Sequence, residues 1–430
     1  MTLYHFPVDK TPEQIAPFLC KETHTIWFDS AKPDHPKNCY SYIAFAPLET
    51  YRDISFSRQK EILKGLNFSP NNPDLPPFQG GLSGLWAYDL ARDLESIPEK
   101  NHKENNIPNV WFGVYDQVYA YDHAQNKGWY MCHCTDKKIA AQKFELFLKK
   151  INQPAAFISP LQNLEWSCDF TRNEYEQAVA TVINHILEGD IFQANLSRKY
   201  QAICPADFQS FDHYLYVRKS NPAPFSAYMN MDGFEILSTS PESFLKVSSS
   251  GHVQSSPIKG TSHDAEELKC SQKDHAENVM IVDLLRNDLS KICEDHSINV
   301  TDLCRLEKFE GLYHLVSDIH GTLKRELSAL DALEACFPGG SITGAPKIES
   351  MKVIESLERS RRGIYCGAIG WMGSNGAMET NIAIRTMIKQ DDTIWFNVGG
   401  GITANSDPAR EYDETCLKAK KILEILGGIE

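Results

Sequence analysis

The chain has 430 residues, 42% hydrophobic and 23% charged, with a formal net charge of −14 at pH 7. So acidic a balance, with no basic block to offset it, argues against a nucleic-acid or anionic-membrane partner. No run approaches the roughly 18 apolar residues that would cross a bilayer, and residues 1–10 carry no signal-peptide pattern, so a cytoplasmic protein is expected.

Residues 1–155 read as short β segments, among them His24-Thr25-Ile26-Trp27-Phe28, Tyr40-Ser41-Tyr42-Ile43-Ala44 and Trp111-Phe112-Gly113-Val114-Tyr115. Residues 69–77 look like a linker, because Pro70, Pro73, Pro76 and Pro77 exclude a strand interior. Gly80, Gly81 and Gly84 precede Leu85-Trp86 and suggest close sheet packing rather than a nucleotide loop. In Cys132-His133-Cys134 a strand would send both thiols to one face and the imidazole to the other, which is poor geometry for one metal. The twelve cysteines show no framework spacing, so reduced thiols are expected. A helix over 140–150 closes this region, and Asn152-Gln153-Pro154 marks a boundary to residues 156–430.

The second region opens with a helix over 172–188 that Gly189-Asp190 ends, followed by strands over 192–200, 225–231, 234–240 and 243–247. Further helices are expected over 275–293, 347–357 and 407–426. Strand runs interrupted by a few long helices indicate a mixed α+β fold with antiparallel sheets.

Chemistry concentrates in this second region. Lys259, between Ile258 and Gly260 on a short apolar stretch, is oddly placed for a surface charge, and a desolvated lysine becomes a usable nucleophile or base. Glu277 shares a helix face with Met280, Ile281 and Leu284, which is costly unless the carboxylate is paired or metal-bound. On the last helix Asp407 is a good N-cap, Pro408 takes the first position, and Glu411, Glu414 and Lys418 follow at steps of three and four. Gly399-Gly400-Gly401 would let the backbone pass close to a ligand just before it. Three carboxylates from two helices, with no histidine motif, suit a hard oxygen-liganded cation, Mg2+ before Zn2+. Phe337-Pro338-Gly339-Gly340-Ser341-Ile342-Thr343-Gly344-Ala345-Pro346-Lys347 is not a P-loop, since Pro346 stands where that motif needs glycine, but its free amides would favour an anion.

Taken in order, these motifs resemble the chorismate-utilising enzymes, which include anthranilate, aminodeoxychorismate, isochorismate and salicylate synthases. The resemblance also rests on Gly189 to Arg198, Ser238 to Leu245, Ala276-Glu277-Asn278, Arg286-Asn287-Asp288-Leu289, His314-Leu315-Val316-Ser317 and Gly363 to Trp371. It implies one compact unit of two interlocked lobes, with antiparallel sheets packed as a sandwich and helices outside. Members that add water carry a general-base lysine where Gln193 stands, and anthranilate synthases a small residue in the place of Lys259. The chain is therefore similar to the aminodeoxychorismate branch.

That resemblance implies Lys259 as covalent nucleophile and Glu242 as general acid. Mg2+ would be held by Glu277, Glu411 and Glu414. Arg385, on a strand facing the substrate, would bind the carboxylates of chorismate with Tyr365, the amides of Gly399 and Gly401, and Lys418, while Thr343 and His314 help position it. Ammonia would come from a separate glutamine amidotransferase subunit, since no Cys-His glutaminase motif appears. With no lyase after Glu430, elimination to 4-aminobenzoate would need another enzyme. Ser30, Tyr40, Pro224, Phe225 and Ser226 match a tryptophan pocket that packing alone would also explain. Two other readings stand: anthranilate synthase component I, and a catalytically silent tryptophan-binding partner of the amidotransferase.

Overall fold

Alternating runs rich in Val, Ile, Tyr, Phe and Trp become strands, and the computed structural model arranges them in two antiparallel sheets. It describes residues 1–32, 39–69, 71–154, 159, 161–309 and 312–427. Pro70 of the expected linker, the expected boundary between residues 155 and 156, and Glu430 lie outside the described residues.

The 12-stranded sheet runs from Thr2–Val8 at one edge, through Tyr40–Ala44, Thr25–Asp29 and Phe225–Met231, to Thr393–Ile402, Gln193–Ile203 and Gly344–Ala345 at the other. The 10-stranded sheet starts at Ile258–Ser262, followed by Leu312–Thr322, and ends with Gly81–Trp86, Val110–Tyr115 and Glu49–Arg52. Each sheet therefore draws strands from both sides of residue 155. Between the sheets, Ile26, Tyr42 and Met229 pack against Leu85, Trp111 and Trp371. On the outer face of the smaller sheet, helices Gln272–Ser290 and Ala329–Cys336 bury Ile281, Leu285 and Leu333 against Val253 and Ile319. On the other outer face, helices Pro12–Leu19, Lys137–Ile151, Ser210–Ser220 and Pro408–Leu426 bury Ile15, Phe147, Tyr214 and Ile422 beside Trp27, Tyr119 and Phe396. The architecture is the expected α+β sandwich with helices outside. No helix among the described residues is long and apolar enough to cross a membrane.

Several elements fall where their local signals put them. Helix Arg172–Glu188 begins at a Thr171–Glu174 capping box and ends at Gly189 with φ 88°. Gly84 is a site of close approach, because a Cβ there would lie 2.0 Å from the Trp111 carbonyl oxygen. Cys132 and Cys134 share one face with sulfurs 3.8 Å apart, while His133 on the other face stacks on Phe68 at 4.1 Å.

Others differ. The helix expected over 275–293 is Gln272–Ser290, because the Ser271 hydroxyl caps it by accepting from the Asp274 amide. The helix expected over 140–150 starts at Lys137, where Asp136 accepts from the Lys138 and Ile139 amides. The strand expected over 192–200 is Gln193–Ile203, since it pairs along Thr393–Ile402. Arg385 is not on a strand: Met378–Ile382 belongs to the smaller sheet and Thr386–Gln390 to the larger, and Arg385 lies on the crossing between them with φ 49°.

Candidate active site

The two sheets bring their functional edges together around the loop that precedes Thr343. Strand Ile258–Ser262 ends the smaller sheet, and its register against Leu312–Thr322 slips between Lys259 and Thr261. Gly260 permits the slip by taking φ 69°. Lys259 is thereby aimed at the loop, where its Nζ donates to the Ser341 carbonyl at 2.8 Å. The Asn195 side-chain amide donates to the same carbonyl at 2.8 Å. The Ser341 hydroxyl in turn donates to Glu242 Oε1 at 2.6 Å. Glu242 is buried in the short crossing from strand Phe234–Ser240 of the larger sheet to Ser243–Val247 of the smaller. Ser341 thus joins the lysine and the carboxyl through its two oxygens.

Burial pushes the Lys259 pKa below the ordinary lysine range, against the opposing pull of Glu277 and Glu242. Burial likewise raises Glu242 above the ordinary carboxylate range, against the Ser341 hydrogen bond and the Lys259 charge. Both shifts favour the neutral forms: an amine able to attack and a carboxylic acid able to donate a proton.

A set of carboxylates lies beside this pair. Helix Gln272–Ser290 is fixed on strand Leu312–Thr322 by buried Asn278, which donates to the Leu315 carbonyl and accepts from the Ser317 hydroxyl. Glu277, the preceding residue, leaves Oε1 buried without a hydrogen-bond donor, and burial raises its pKa. Across from it, Glu411 and Glu414 rise on successive turns of Pro408–Leu426. Lys273 spans the gap, 3.3 Å from Glu411 Oε1 and 3.9 Å from Glu277 Oε1. Glu414 pairs with Lys418 at 2.7 Å, and that charge holds its pKa below the usual range. The open side of Gly400 faces this set: a Cβ there would meet Glu411 at 3.5 Å and both Glu414 and Lys418 at 3.7 Å. An orphaned carboxylate oxygen within an all-oxygen acidic set fits a hard divalent cation.

The other expected residues are placed as follows. Lys418 also donates to the Gly399 carbonyl at 2.9 Å, and Gly401 packs against the Gln193 side-chain amide. Gln193 is fully buried, and neither its amide nitrogen nor its oxygen has a hydrogen-bond partner. Thr343 is buried and turns its hydroxyl back on its own loop, to the Gly339 and Gly340 carbonyls. His314 stands opposite Thr261 in the strand pair, with Nδ1 3.3 Å from the Gly260 carbonyl, and burial together with nearby Arg385 lowers its pKa to about 4. Tyr365 is buried beside Arg362, whose guanidinium lies 5.8 Å from the ring centroid. Away from this site, Ser30, Tyr40 and Pro224–Ser226 meet at one end of three adjacent strands, where the Ser30 hydroxyl donates to the Tyr40 carbonyl. The Ser226 hydroxyl there donates to Ala223, and Asn381 donates to the Phe225 carbonyl.

Sequence reasoning missed the residues that hold the loop in place. Arg362, 3% exposed, donates to both oxygens of Glu358 and to the carbonyls of Ile342 and Asn195. Glu358 also accepts from the Ser197 amide and hydroxyl. Only the run Arg361-Arg362 in front of a buried Ile364-Tyr365 segment could have signalled them. Lys347, at the end of the glycine-rich loop, pairs with buried Asp288 at 2.6 Å and ties the loop's end to helix Gln272–Ser290.

Comparison with known proteins accords with this geometry. A family model described as chorismate binding enzyme matches residues 23–424. Aminodeoxychorismate synthase component 1 of Escherichia coli is 36% identical over 440 residues, spanning 95% of this chain and 95% of that protein. The protein of the same name from Bacillus subtilis is 36% identical over 367 residues, covering 81% of this chain and 77% of its own. Among solved structures, anthranilate synthase component I from Streptococcus pneumoniae superposes with a TM-score of 0.81 at 31% identity, over 90% of this chain and 92% of that one.

Proposed function

The chain belongs to the chorismate-binding enzyme family and acts on chorismate, and from that premise we propose that it replaces the C4 hydroxyl by an amine to give 4-amino-4-deoxychorismate. The observation that carries this reading is the pair Lys259 and Glu242, joined through Ser341 and both shifted toward their neutral forms. A buried neutral amine is a nucleophile and a buried neutral carboxyl is an acid.

Chorismate is a dicarboxylate with a hydroxyl at C4 and an enolpyruvyl ether at C3. Lys259 Nζ attacks C2, the two ring double bonds shift, and the C4–O bond breaks as Glu242 gives its proton to the departing hydroxyl. Water leaves, and a proton is lost from the alkylated nitrogen. Ammonia then attacks C4, the double bonds shift back, and the C2–N bond to Lys259 breaks as that nitrogen regains a proton. Two displacements retain configuration and divide one hard substitution into two easier ones.

Glu277, Glu411 and Glu414 would hold Mg2+, which when bound supplies positive charge for the ring carboxylate. Arg385, Tyr365, Lys418 and the amides of Gly399 and Gly401 serve the substrate's carboxylates, while Thr343 shapes the loop and His314, neutral near pH 7, lines the strand beside Lys259. Ammonia comes from a separate glutamine amidotransferase; the component numbering of the relatives supports a partner subunit of some kind. Residues 1–155 and 156–430 form an N-terminal region and a chorismate-binding region of one compact cytoplasmic unit. For a tryptophan ligand the candidate positions are Ser30, Tyr40, Pro224, Phe225 and Ser226, whose arrangement packing alone also explains.

The test is to incubate the protein with chorismate, Mg2+ and ammonium at mildly basic pH and identify the product by mass spectrometry, with Lys259→Ala in parallel. Aminodeoxychorismate from the wild type, sharply reduced in the variant, supports the reading. Anthranilate as product would overturn it, and no turnover would favour a silent partner subunit.

A further inference from the structure

Lys273 stands in a position that its own helix disfavours. It is the second residue of Gln272–Ser290, where the unpaired amides of the first turn repel a cation. Its pairing with Glu277 four residues later runs in the weaker sense, with the lysine N-terminal to the glutamate. The favourable contact is across the chain: Glu411 Oε1, 138 residues away in sequence, lies 3.3 Å from the ammonium.

We propose that Lys273 is a displaceable counter-ion for the carboxylates Glu277 and Glu411, occupying by its charge the place a divalent cation takes and so setting the affinity for that cation. The proposal rests on the reading that these carboxylates bind Mg2+. Three lysines surround the set, and two have a backbone anchor outside it. Lys259 donates to Ser341, and Lys418 is held by both Glu414 and the Gly399 carbonyl. Lys273 makes looser contacts, with a side chain 41% exposed, and has room to swing into solvent. The carboxylates it faces are unequally satisfied. Glu411 Oε1 keeps the Ser406 hydroxyl at 2.6 Å, whereas Glu277 Oε1 is buried and accepts no hydrogen bond, with only the Lys273 ammonium nearby at 3.9 Å. Without a cation between them these carboxylates repel, and Lys273 offsets that repulsion. When the cation arrives, the ammonium becomes a like charge beside it and must move away.

The test is a Mn2+ titration of the full chain followed by the EPR signal of the free ion, on wild type, Lys273→Met, Lys273→Arg and Glu277→Gln, with thermal unfolding measured in EDTA and in Mg2+. Methionine keeps the helix and the stem volume while removing the charge. Lys273→Met should bind Mn2+ on the order of two- to fivefold more tightly, unfold at a lower temperature in EDTA, and gain more from Mg2+ than wild type. Lys273→Arg should bind like wild type. If Lys273→Met binds Mn2+ no more tightly than wild type while Glu277→Gln loses binding, the counter-ion role is wrong and the metal site stands. If wild type binds no Mn2+, or Glu277→Gln binds it equally well, the underlying metal reading fails and the proposal fails with it.

Discussion

Replacing Arg362 by methionine tests whether the clamp under the loop does what its geometry implies. The guanidinium donates at 2.8 and 3.0 Å to the two oxygens of Glu358, at 2.9 Å to Ile342 and at 2.6 Å to Asn195. Removing one partner of a buried pair leaves the other charge uncompensated, which typically costs about 3–5 kcal/mol. Glu358 would keep the Ser197 amide and hydroxyl, at 2.8 and 2.7 Å, so the lower half of that range, about 3–4 kcal/mol, is expected. For 430 residues an unfolding entropy of about 0.9 kcal/mol/K converts this into a Tm lower by about 3–5 °C in scanning calorimetry. Because the Ile342 carbonyl is adjacent to Ser341, turnover should also fall at temperatures where the variant is fully folded. The double variant Arg362→Met/Glu358→Gln should recover at least about 1 kcal/mol relative to additivity of the singles. Arg362→Lys should not rescue, since an ammonium cannot reproduce the fork. A loss below about 1 kcal/mol, or strict additivity in the double variant, would refute the clamp.

Ser341→Ala removes the hydroxyl that stabilises the Glu242 carboxylate, so Glu242 should keep its proton to higher pH. A hydrogen bond to a charged group contributes about 1.5–3 kcal/mol, so the alkaline limb of kcat/KM should move up by about one to two pH units, and an unmoved limb would sink the assignment of Glu242 as acid. His133, 2% exposed, has its pKa lowered by burial from 6.5 to about 4. Between those values the folded state binds fewer protons than the unfolded chain, so stability present above pH 6.5 is lost as pH falls toward 4, by up to about 3 kcal/mol. His133→Phe should flatten the fall in denaturation midpoint between pH 7 and pH 5; an unchanged slope would mean that other groups carry it.

Local signals made much of this fold legible. The capping box at Thr171, the glycine after Glu188 and the Pro408 start of the last helix are written in neighbouring residues, and those elements lie where they were expected. Lys259, Glu242, Glu277, Glu411 and Glu414 stood out as charges where periodicity called for apolar residues or as members of ordered motifs, and the structure gathers them in one region. What stayed illegible depends on partners distant in sequence. Nothing local tells that Arg362 meets Asn195, that Asn195 and Lys259 share the Ser341 carbonyl, or that Lys273 faces Glu411. Arg385 was expected on a strand from the resemblance alone, but the chain changes sheets there, and no pattern in Asn381-Ile382-Ala383-Ile384 announces the change.

The sheet order also has a temporal meaning. Strand Gly81–Trp86 finds its neighbour Ala368–Gly373 only after nearly the whole chain exists, and Thr25–Asp29 waits for Phe225–Met231. At about 5–20 residues per second of synthesis, the first of these strands leaves the ribosome some 15–60 s before its partner. During that interval its edge is an unpaired template for other chains. Helix Pro408–Leu426, with Glu411 and Glu414, emerges last. A ribosome stalled before residue 400 should therefore display a chain that lacks Glu411 and Glu414, two of the three carboxylates proposed to hold Mg2+, however long it waits.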